Sequence, residues 1–359
     1  MEIFSALGGG LWTLIAFIVA LSVIVAVHEY GHYIVGRWCG IRAEVFSIGF
    51  GPRLVSWRDR RGTEWQVAAI PLGGYVKFLG DADAASAGPG RAVSPEFRRQ
   101  TLDGAPLWAR AATVGAGPLF NFILSTLIFA GSILLHGVAV ATPTVGALAP
   151  MPPGMVSELR PGDEILGVGG HPVSNWGDLY DAANGLAEAP AYDWRVRRDG
   201  AEMTVPGPNP APPVVGGIQP SMPAARAGLK PGDVLTAIDG EKLVFFQDIA
   251  RHVAASEGAP MQVSVIRDGT PLAVTLSARL RDLPRAEDAG GGYEQRWLIG
   301  LSPGGYIEPM VESRGPLGAL MLGLARVWDI IASSMAGLWA MISGQIGTCN
   351  IGGAITIAE

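Results

Sequence analysis

Charged residues are scarce in this chain. They make up 16% of its 359 residues, whereas hydrophobic residues make up 49%. An average soluble domain has about 25% charged residues, so the shortage favours a membrane protein. The formal net charge of −6 also argues against nucleic acid as a partner, because binding to phosphate backbones depends on an excess of Lys and Arg.

Cysteine is also scarce, with Cys39 and Cys349 as the two examples. Two distant cysteines do not form a disulfide framework, and they are too few for a cysteine-rich structural zinc site. Any metal must therefore be held by histidine and carboxylate side chains.

Long apolar runs are present instead. Ala6 to Val27 contains no charged residue, Ala111 to Leu135 follows, and a weaker run between Pro316 and Ser343 contains two charges. About 20 apolar residues cross a bilayer, so the sequence predicts three transmembrane helices. A signal peptide is the alternative for the first run, but no basic residue precedes it and no small-residue cleavage site follows.

Basic residues predict the orientation of these helices. Ten arginines and one lysine lie between Arg37 and Arg110. The positive-inside rule places this segment in the cytoplasm. The N-terminus and residues 137–310 are then outside, which in a bacterium is the periplasm, and the protein is a multi-pass protein of the inner membrane.

The outer region contains an internal repeat. Residues 160–170 resemble residues 230–240, and Arg198-Asp199-Gly200 resembles Arg267-Asp268-Gly269. Each copy predicts a strand, a glycine turn, a helix and a hairpin through Asp-Gly. The two helices are expected at Asp178–Leu186 and Gln247–Ala255.

The second copy adds Ala227-Gly228-Leu229 before its Pro-Gly-Asp turn. This pattern resembles the circularly permuted PDZ domains of bacteria. PDZ domains bind extended peptides or chain ends by strand addition, so peptides or chain ends are expected partners. The alternative is that the copies are two small α+β spacers.

The chemistry of the chain is predicted by the motif His28-Glu29-Tyr30-Gly31-His32. On a helix, His28 and His32 lie on one face, one turn apart. Two such imidazoles can bind Zn²⁺, which lowers the pKa of a bound water, and Glu29 can act as general base. Ionisable residues in an apolar span are functional by default. The alternative is a helix whose end has simply reached the lipid headgroups.

In this position the motif resembles the site-2 protease family of intramembrane zinc metalloproteases, RseP type (regulator of sigma-E protease). Further segments extend the resemblance over essentially the whole chain: Phe46–Pro52, Ile70–Lys77, Ala116–Phe122 and Asn350–Ala358. The resemblance implies a multi-pass α-helical membrane protein with a membrane-re-entrant β-loop and two periplasmic α+β PDZ-like domains.

The resemblance also implies a function and further site residues. The enzyme would be a zinc-dependent intramembrane endopeptidase that cleaves single-pass membrane proteins, such as an anti-sigma factor, or remnant signal peptides. Gly49, Phe50 and Gly51 would hold the substrate. Asn121 would contact the substrate backbone or a developing oxyanion, and its alternative role is a helix-packing amide.

The third zinc ligand that the resemblance implies is an Asp in a Leu-Asp-Gly motif on a further transmembrane helix. Leu102-Asp103-Gly104 has these residues but precedes the second apolar run, in the basic segment. We expect the chain to be a fragment of a longer protein. The alternatives are a truncated, inactive product and a different carboxylate that folds into the site as a replacement.

The sequence thus predicts the following domains: residues 1–36, first transmembrane helix; 37–110, cytoplasmic segment with the β-loop; 111–136, second transmembrane helix; 137–210 and 211–282, the PDZ-like domains; 283–315, a linker; 316–344, third transmembrane helix; and 345–359, the start of a C-terminal segment. The alternative function is a catalytically incomplete, membrane-anchored PDZ binding protein. The lipid bilayer is a partner in either case.

Overall fold

The computed structural model describes residues 2–81, 92–151, 155–183, 185–284 and 292–345. The segment Asn350–Ala358, which contributed to the family resemblance, lies outside the described residues. The chain divides into two compact units. One contains residues 1–132 and 316–331, and the other is formed mainly by residues 133–315.

Helix α1 spans Glu2–Trp38 and therefore contains the whole histidine motif in its interior. The helix ends because Gly40 adopts a φ of +82°, in the left-handed region that favours glycine. The backbone N–H of Ile41 then donates to the carbonyl of Gly36 at 2.8 Å. This bond closes the helix in the manner of a Schellman motif.

Two long strands follow, β1 (Ala43–Arg58) and β2 (Glu64–Phe78). The first half of β1 pairs with the second half of β2, from Ala43 opposite Phe78 to Ile48 opposite Gly74. It also lies beside the first half of β2, from Val45 opposite Glu64 to Ile48 opposite Val67. Residues 45–48 therefore lie inside the sheet, with a neighbouring strand segment on each side.

A short 3₁₀ helix (Pro95–Gln100) leads to helix α2 (Leu107–His136), which contains Pro118. Helices α1 and α2 are packed closely, because a Cβ atom added to Gly31 would lie 2.6 Å from the carbonyl oxygen of Ala116. Small residues that let backbones approach in this way are typical of helix contacts in membranes.

The second unit begins with strand β3 (Val138–Ala139) and the first copy of the repeat. This copy consists of β4 (Val145–Leu148), β5 (Glu164–Val168), β6 (His171–Pro172), α3 (Trp176–Ala183), β7 (Tyr192–Arg198) and β8 (Ala201–Gly207). Helix α3 begins two residues before the predicted start because Asn175 accepts hydrogen bonds from the backbone of Gly177 and Asp178, as an N-cap residue does.

The second copy repeats this architecture. It consists of β9 (Val215–Ile218), α4 (Pro223–Arg226), β10 (Val234–Ile238), β11 (Glu241–Lys242), α5 (Phe246–Ala255), β12 (Pro260–Arg267) and β13 (Thr270–Ser277). The four-stranded sheets have the orders β6-β5-β7-β8 and β11-β10-β12-β13. The predicted repeat is therefore confirmed.

The segment 283–315 is not a simple linker, as the sequence predicts it to be. It contains the end of β14 (Arg279–Pro284), then β15 (Tyr293–Leu298), β16 (Leu301–Pro303), β17 (Ile307–Pro309) and β18 (Val311–Glu312). Strand β16 pairs with β9, β17 with β4, and β18 with β3. These last three strands escape prediction because each has two or three residues, too few to show an alternating pattern.

Helix α6 spans Pro316–Ile342. A Cβ atom added to its Gly323 would lie 2.7 Å from the carbonyl oxygen of Thr126, so α6 packs closely on α2. Three helical stretches of the described residues are long and apolar enough to cross a membrane: Leu14–Trp38, Leu107–His136 and Pro316–Ile342. They agree with the three predicted spans.

Candidate metal centre and catalytic site

His28 and His32 lie one turn apart on α1. The centroids of their rings are 4.8 Å apart, and the ring planes are inclined by 83°. Both Nε2 atoms face Gly117 of α2. A Cβ atom built on Gly117 would lie 2.3 Å from the Nε2 of His32 and 2.7 Å from that of His28. The two nitrogens therefore converge on a space that stays open because residue 117 has no side chain.

This arrangement fits a zinc ion. Zinc binds imidazole nitrogen at about 2.0–2.1 Å, and a catalytic zinc usually has three protein ligands and one open position. Two histidines at this spacing supply two of those ligands. Within the described ranges, which leave out 82–91 and 346–359, no cluster of three His, Cys, Asp or Glu side chains could hold a metal ion.

The other ring nitrogens have partners on α2. The Nδ1 of His32 lies 2.7 Å from the carbonyl oxygen of Thr113. The Nδ1 of His28 lies 3.2 Å from the side-chain amide of Asn121. The structure thus brings Asn121, which the resemblance assigns to the substrate, into contact with a histidine of the motif.

Glu29 faces a cavity of about 370 Å³ beside the histidines. The cavity is lined by His32 and Glu29 from α1, by Thr113 and Val114 from α2, and by the β-loop. Gly74 is essential to this packing, because a Cβ atom there would lie 2.7 Å from the carbonyl oxygen of Ser47 and 3.4 Å from the Cγ of Glu29.

The predicted substrate-binding residues of the β-loop have different positions. Phe50 lines the cavity and stacks on Tyr75, with ring centroids 6.1 Å apart and planes inclined by 15°. Gly49 and Gly51 have φ values of +88° and +84°. These conformations let the strand turn. Gly49 also has no room for a side chain, because a Cβ atom there would lie 2.9 Å from the carbonyl oxygens of Ala68 and Ile70. Phe50 is therefore the member of this group that lines the cavity.

The base of the β-loop is anchored to α1 by Asp59. Its carboxylate accepts hydrogen bonds from the hydroxyl of Tyr33 at 3.1 Å and from the indole of Trp65 at 3.2 Å. Burial by itself raises the pKa of Asp59, but the bonds from Trp65 and from the backbone of Thr63 and Arg61 outweigh it, so the pKa lies below its usual value. Because Tyr33 follows His32 directly, this anchor fixes the β-loop beside the histidines.

Sequence reasoning did not identify Thr113 and Gly117 as site residues. Thr113 acts through its backbone carbonyl, which leaves no trace in the residue type. Gly117 acts by lacking a side chain. A signal was nevertheless present, because Thr113, Gly117 and Asn121 follow one another at intervals of four residues. This spacing places them on one face of a helix.

Comparisons with known proteins identify the family of the chain. The family model described as Peptidase family M50 matches residues 16–359. The "Regulator of sigma-E protease RseP" of Salmonella typhimurium is 30% identical over 375 residues, which cover 97% of this chain and 80% of that protein. A protein of Agrobacterium fabrum that is named as a zinc metalloprotease is 34% identical over 352 residues, which cover 96% of this chain and 74% of that protein.

Among solved structures, the PDZ domain of the SdrC-like protein from Listeria monocytogenes covers 25% of this chain and 84% of its own, at 18% identity and a TM-score of 0.18. The two copies are related to each other by the equal order of their strands. The family match extends over nearly the whole chain and includes His28, Glu29 and His32. The chain therefore belongs to Peptidase family M50.

Proposed function

We propose that this protein is a zinc-dependent endopeptidase that cleaves single-pass membrane proteins within the membrane. One observation carries the proposal. His28, Glu29 and His32 share one turn of a helix that is apolar enough to cross a membrane, and Glu29 and His32 line a cavity there. A purely structural helix has no use for three ionisable side chains at such a depth.

Each residue of the site has its own role in the proposed hydrolysis. His28 and His32 would hold zinc through Nε2. Zinc, when bound, acts as a Lewis acid that makes water a nucleophile near neutral pH. Glu29 takes the proton of the attacking water and passes it to the nitrogen of the leaving amine. The third zinc ligand is the Asp that the family resemblance implies, and we assign that role to no described residue.

The β-loop would hold the substrate in an extended form. A substrate helix must unwind before its peptide bond can be attacked, and an extended chain can pair with the edge of a sheet. Residues 74–78 pair with residues 43–48, and Gly74, Tyr75, Val76 and Phe78 also line the cavity. Phe50 would contact a substrate side chain, and Gly49 and Gly51 would give the loop the shape that presents it.

Charge and relatives support a location and a substrate class. The ten arginines and one lysine between Arg37 and Arg110 favour a cytoplasmic β-loop in a bacterial inner membrane, with the repeat on the periplasmic side. The relative from Salmonella typhimurium is named a regulator of sigma-E protease. An anti-sigma factor is therefore the substrate that we propose first, and remnant signal peptides are a second class.

The PDZ-like copies would receive peptides or chain ends. In the first copy, a cavity of about 270 Å³ lies between α3 and the segment that contains β17. Helix α3 contributes Trp176, Leu179 and Tyr180, and the segment contributes Tyr306 and Ile307. A groove between a helix and a short strand is the arrangement in which strand addition occurs.

Cleavage by a Glu29→Gln variant tests the proposed reaction. The full chain is placed in bilayers with a single-pass test substrate, and cleavage is followed on gels. Because a general base contributes about 10²–10⁴-fold, we expect the rate to fall at least about 100-fold. Glu96→Gln is the matched control, because Glu96 is exposed on the 3₁₀ helix, and its rate should equal that of the wild type.

The same assay separates the alternative function. A membrane-anchored PDZ binding protein would capture chain ends but would cleave no substrate, in the wild type as in Glu29→Gln. Equal cleavage by the wild type and by Glu29→Gln would contradict the assignment of Glu29 as the base.

A further inference from the structure

Helix α2 presents one face to both histidines. Thr113, Gly117 and Asn121 lie four residues apart, and each is next to an imidazole nitrogen of α1. Residues at this spacing form a stripe along one side of a helix. The stripe is held against α1 by the close contact between Gly31 and Ala116.

The tautomer of His32 follows from its contact with α2. A backbone carbonyl oxygen can only accept a hydrogen bond. The carbonyl of Thr113 lies 2.7 Å from Nδ1, so Nδ1 carries the proton. The lone pair of the neutral ring is then on Nε2, the atom that faces Gly117.

For His28 the partner is an amide, whose oxygen and nitrogen can exchange places by a half-turn. If Nδ2 of Asn121 donates to Nδ1 of His28, the ring proton must be on Nε2, and Nε2 cannot bind a metal. The buried Oδ1 of Asn121 then also has no hydrogen-bond partner among the described residues. If Oδ1 accepts from Nδ1–H, Nε2 keeps its lone pair and faces the same space as that of His32.

We propose that Asn121 is a positioning residue whose Oδ1 accepts a hydrogen bond from Nδ1–H of His28 and so directs Nε2 to the metal. This inference rests on the proposed zinc chemistry. It gives Asn121 a role that differs from contact with the substrate and from simple helix packing. Thr113 and Asn121 together then fix both imidazoles from one helix, as second partners of metal-binding histidines commonly do.

Zinc affinity of the purified full chain tests the inference, measured by competition with a chromophoric chelator. Loss of such a second partner costs about 10–100-fold in metal affinity. We therefore expect Asn121→Leu, which keeps the number of side-chain heavy atoms and removes the acceptor, to weaken zinc binding by about 10–100-fold. Asn121→Asp keeps an oxygen at the same place and should restore the wild-type affinity.

Thr126→Val is the matched control, because Thr126 lies on the same helix and its hydroxyl donates to the carbonyl of Phe122 at 2.8 Å, within α2 itself. Its zinc affinity should equal that of the wild type, and the thermal unfolding midpoints of all variants show whether each is folded. Gly117→Ala should bind zinc more weakly than Asn121→Leu, since its Cβ would lie 2.3 Å from the Nε2 of His32.

Each outcome has one meaning. If Asn121→Leu binds zinc within about twofold of the wild type and also cleaves normally, Asn121 is a packing residue and the inference is wrong. If Asn121→Asp binds zinc as weakly as Asn121→Leu, the acceptor role is wrong. If Asn121→Leu cleaves poorly but binds zinc normally, Asn121 contacts the substrate instead. If the wild type binds no zinc, the proposed function fails, and this inference fails with it.

Discussion

The two copies of the repeat have the same sheet order but take their core residues from different parts of the chain. The core of the second copy consists of residues between Val215 and Leu301, so it is built from one continuous stretch of chain. The core of the first copy includes Phe245 and Val244, which precede α5, and Ile307 of β17. The second copy is therefore nested inside the first, and the first depends on residues that lie beyond the second.

What the copies share is an internal ion pair. Asp163 and Asp233 are each 1% exposed. Each carboxylate accepts two hydrogen bonds of 2.7 Å from one guanidinium, Arg198 in the first copy and Arg267 in the second. The Pro-Gly-Asp turn supplies the carboxylate, and the Arg-Asp-Gly hairpin supplies the guanidinium. The repeated residues thus form an ion pair between two neighbouring strands of each sheet.

Equal sequence motifs therefore do not make the two copies equally able to fold alone. The motif residues build the sheet of each copy in the same way, whereas the closing strand and the last core side chains are set by chain order. Strand β17 pairs with β4 of the first copy, and β16 pairs with β9 of the second. Both closing strands therefore follow β13, the last strand of the second four-stranded sheet, in the chain.

The two copies should differ strongly when they are made as separate fragments. We expect residues 213–304 to fold alone, because both the core and the closing strand of the second copy are present. We expect residues 138–212 to stay unfolded, because Phe245, Ile307 and β17 are missing. Circular dichroism and amide hydrogen exchange of the two fragments check this, with residues 138–312 as the folded control. A protected, cooperative fold in residues 138–212 would contradict the nesting.

A single substitution just before α5 of the second copy should destabilise the first copy. Phe245 is 8% exposed, and its ring lies 6.2 Å from that of Tyr192 in the first copy. Phe245→Ala should destabilise the first copy by about 3–5 kcal/mol. Ile249→Ala, in α5, is the matched control and should destabilise the second copy by about 2–5 kcal/mol.

Hydrogen exchange resolves the two effects by location. After Phe245→Ala, exchange should accelerate most in β5 and β7 of the first copy. After Ile249→Ala, it should accelerate most in β10 and β12 of the second copy. If Phe245→Ala accelerated exchange in the second copy alone, the ring would not support the core of the first.

The internal ion pairs predict an equal response of the two copies to acid. Burial by itself raises the pKa of Asp163 and of Asp233, but the hydrogen bonds from Arg198 and Arg267 outweigh it, so both pKa values lie below the usual range. An unfolded Asp titrates near 3.9. The stabilisation is therefore complete above about pH 4 and is lost as the pH falls through the lower pKa of the folded state.

Urea unfolding of residues 138–312 between neutral and acid pH measures this effect. The free energy of unfolding should decline below about pH 4, and Asp163→Asn and Asp233→Asn should each remove a similar part of the decline. A decline that survives in both variants would mean that other carboxylates cause it.

A feature of this fold or site could be predicted from the sequence when the residue types themselves reveal it. The position of His28, Glu29 and His32 on one turn of an apolar helix was predictable, because their spacing and their apolar surroundings are visible in residue types. The two sheets were predictable because Pro-Gly-Asp and Arg-Asp-Gly recur.

The remaining features depend on contacts that residue types do not record. The role of Thr113 depends on a backbone carbonyl. The pairing of β17 joins Ile307 to Leu148, which are far apart in the chain. No local pattern records such a partner, because strand pairing reflects side-chain packing across the whole fold.

A weaker effect is expected from a substitution in the groove of the first copy. Trp176 begins α3, and the equivalent residue at the start of α5 is Phe246. The indole Nε1 of Trp176 is buried without a hydrogen-bond partner in the described part of the chain, and the side chain lines the cavity beside β17. A buried donor without a partner is costly, so a bound peptide carbonyl is the acceptor that we expect.

Trp176→Phe makes this position of the first copy the same as that of the second and removes the donor. Affinity for a short labelled peptide with an apolar carboxyl-terminal residue, measured by fluorescence anisotropy, should fall roughly 2- to 12-fold, because a neutral hydrogen bond contributes about 0.5–1.5 kcal/mol. The converse substitution Phe246→Trp leaves the first groove intact and is the control. If Trp176→Phe binds the peptide as the wild type does, the indole is not a ligand donor. The two copies would then differ in how they are assembled but not in what this position of their grooves recognises.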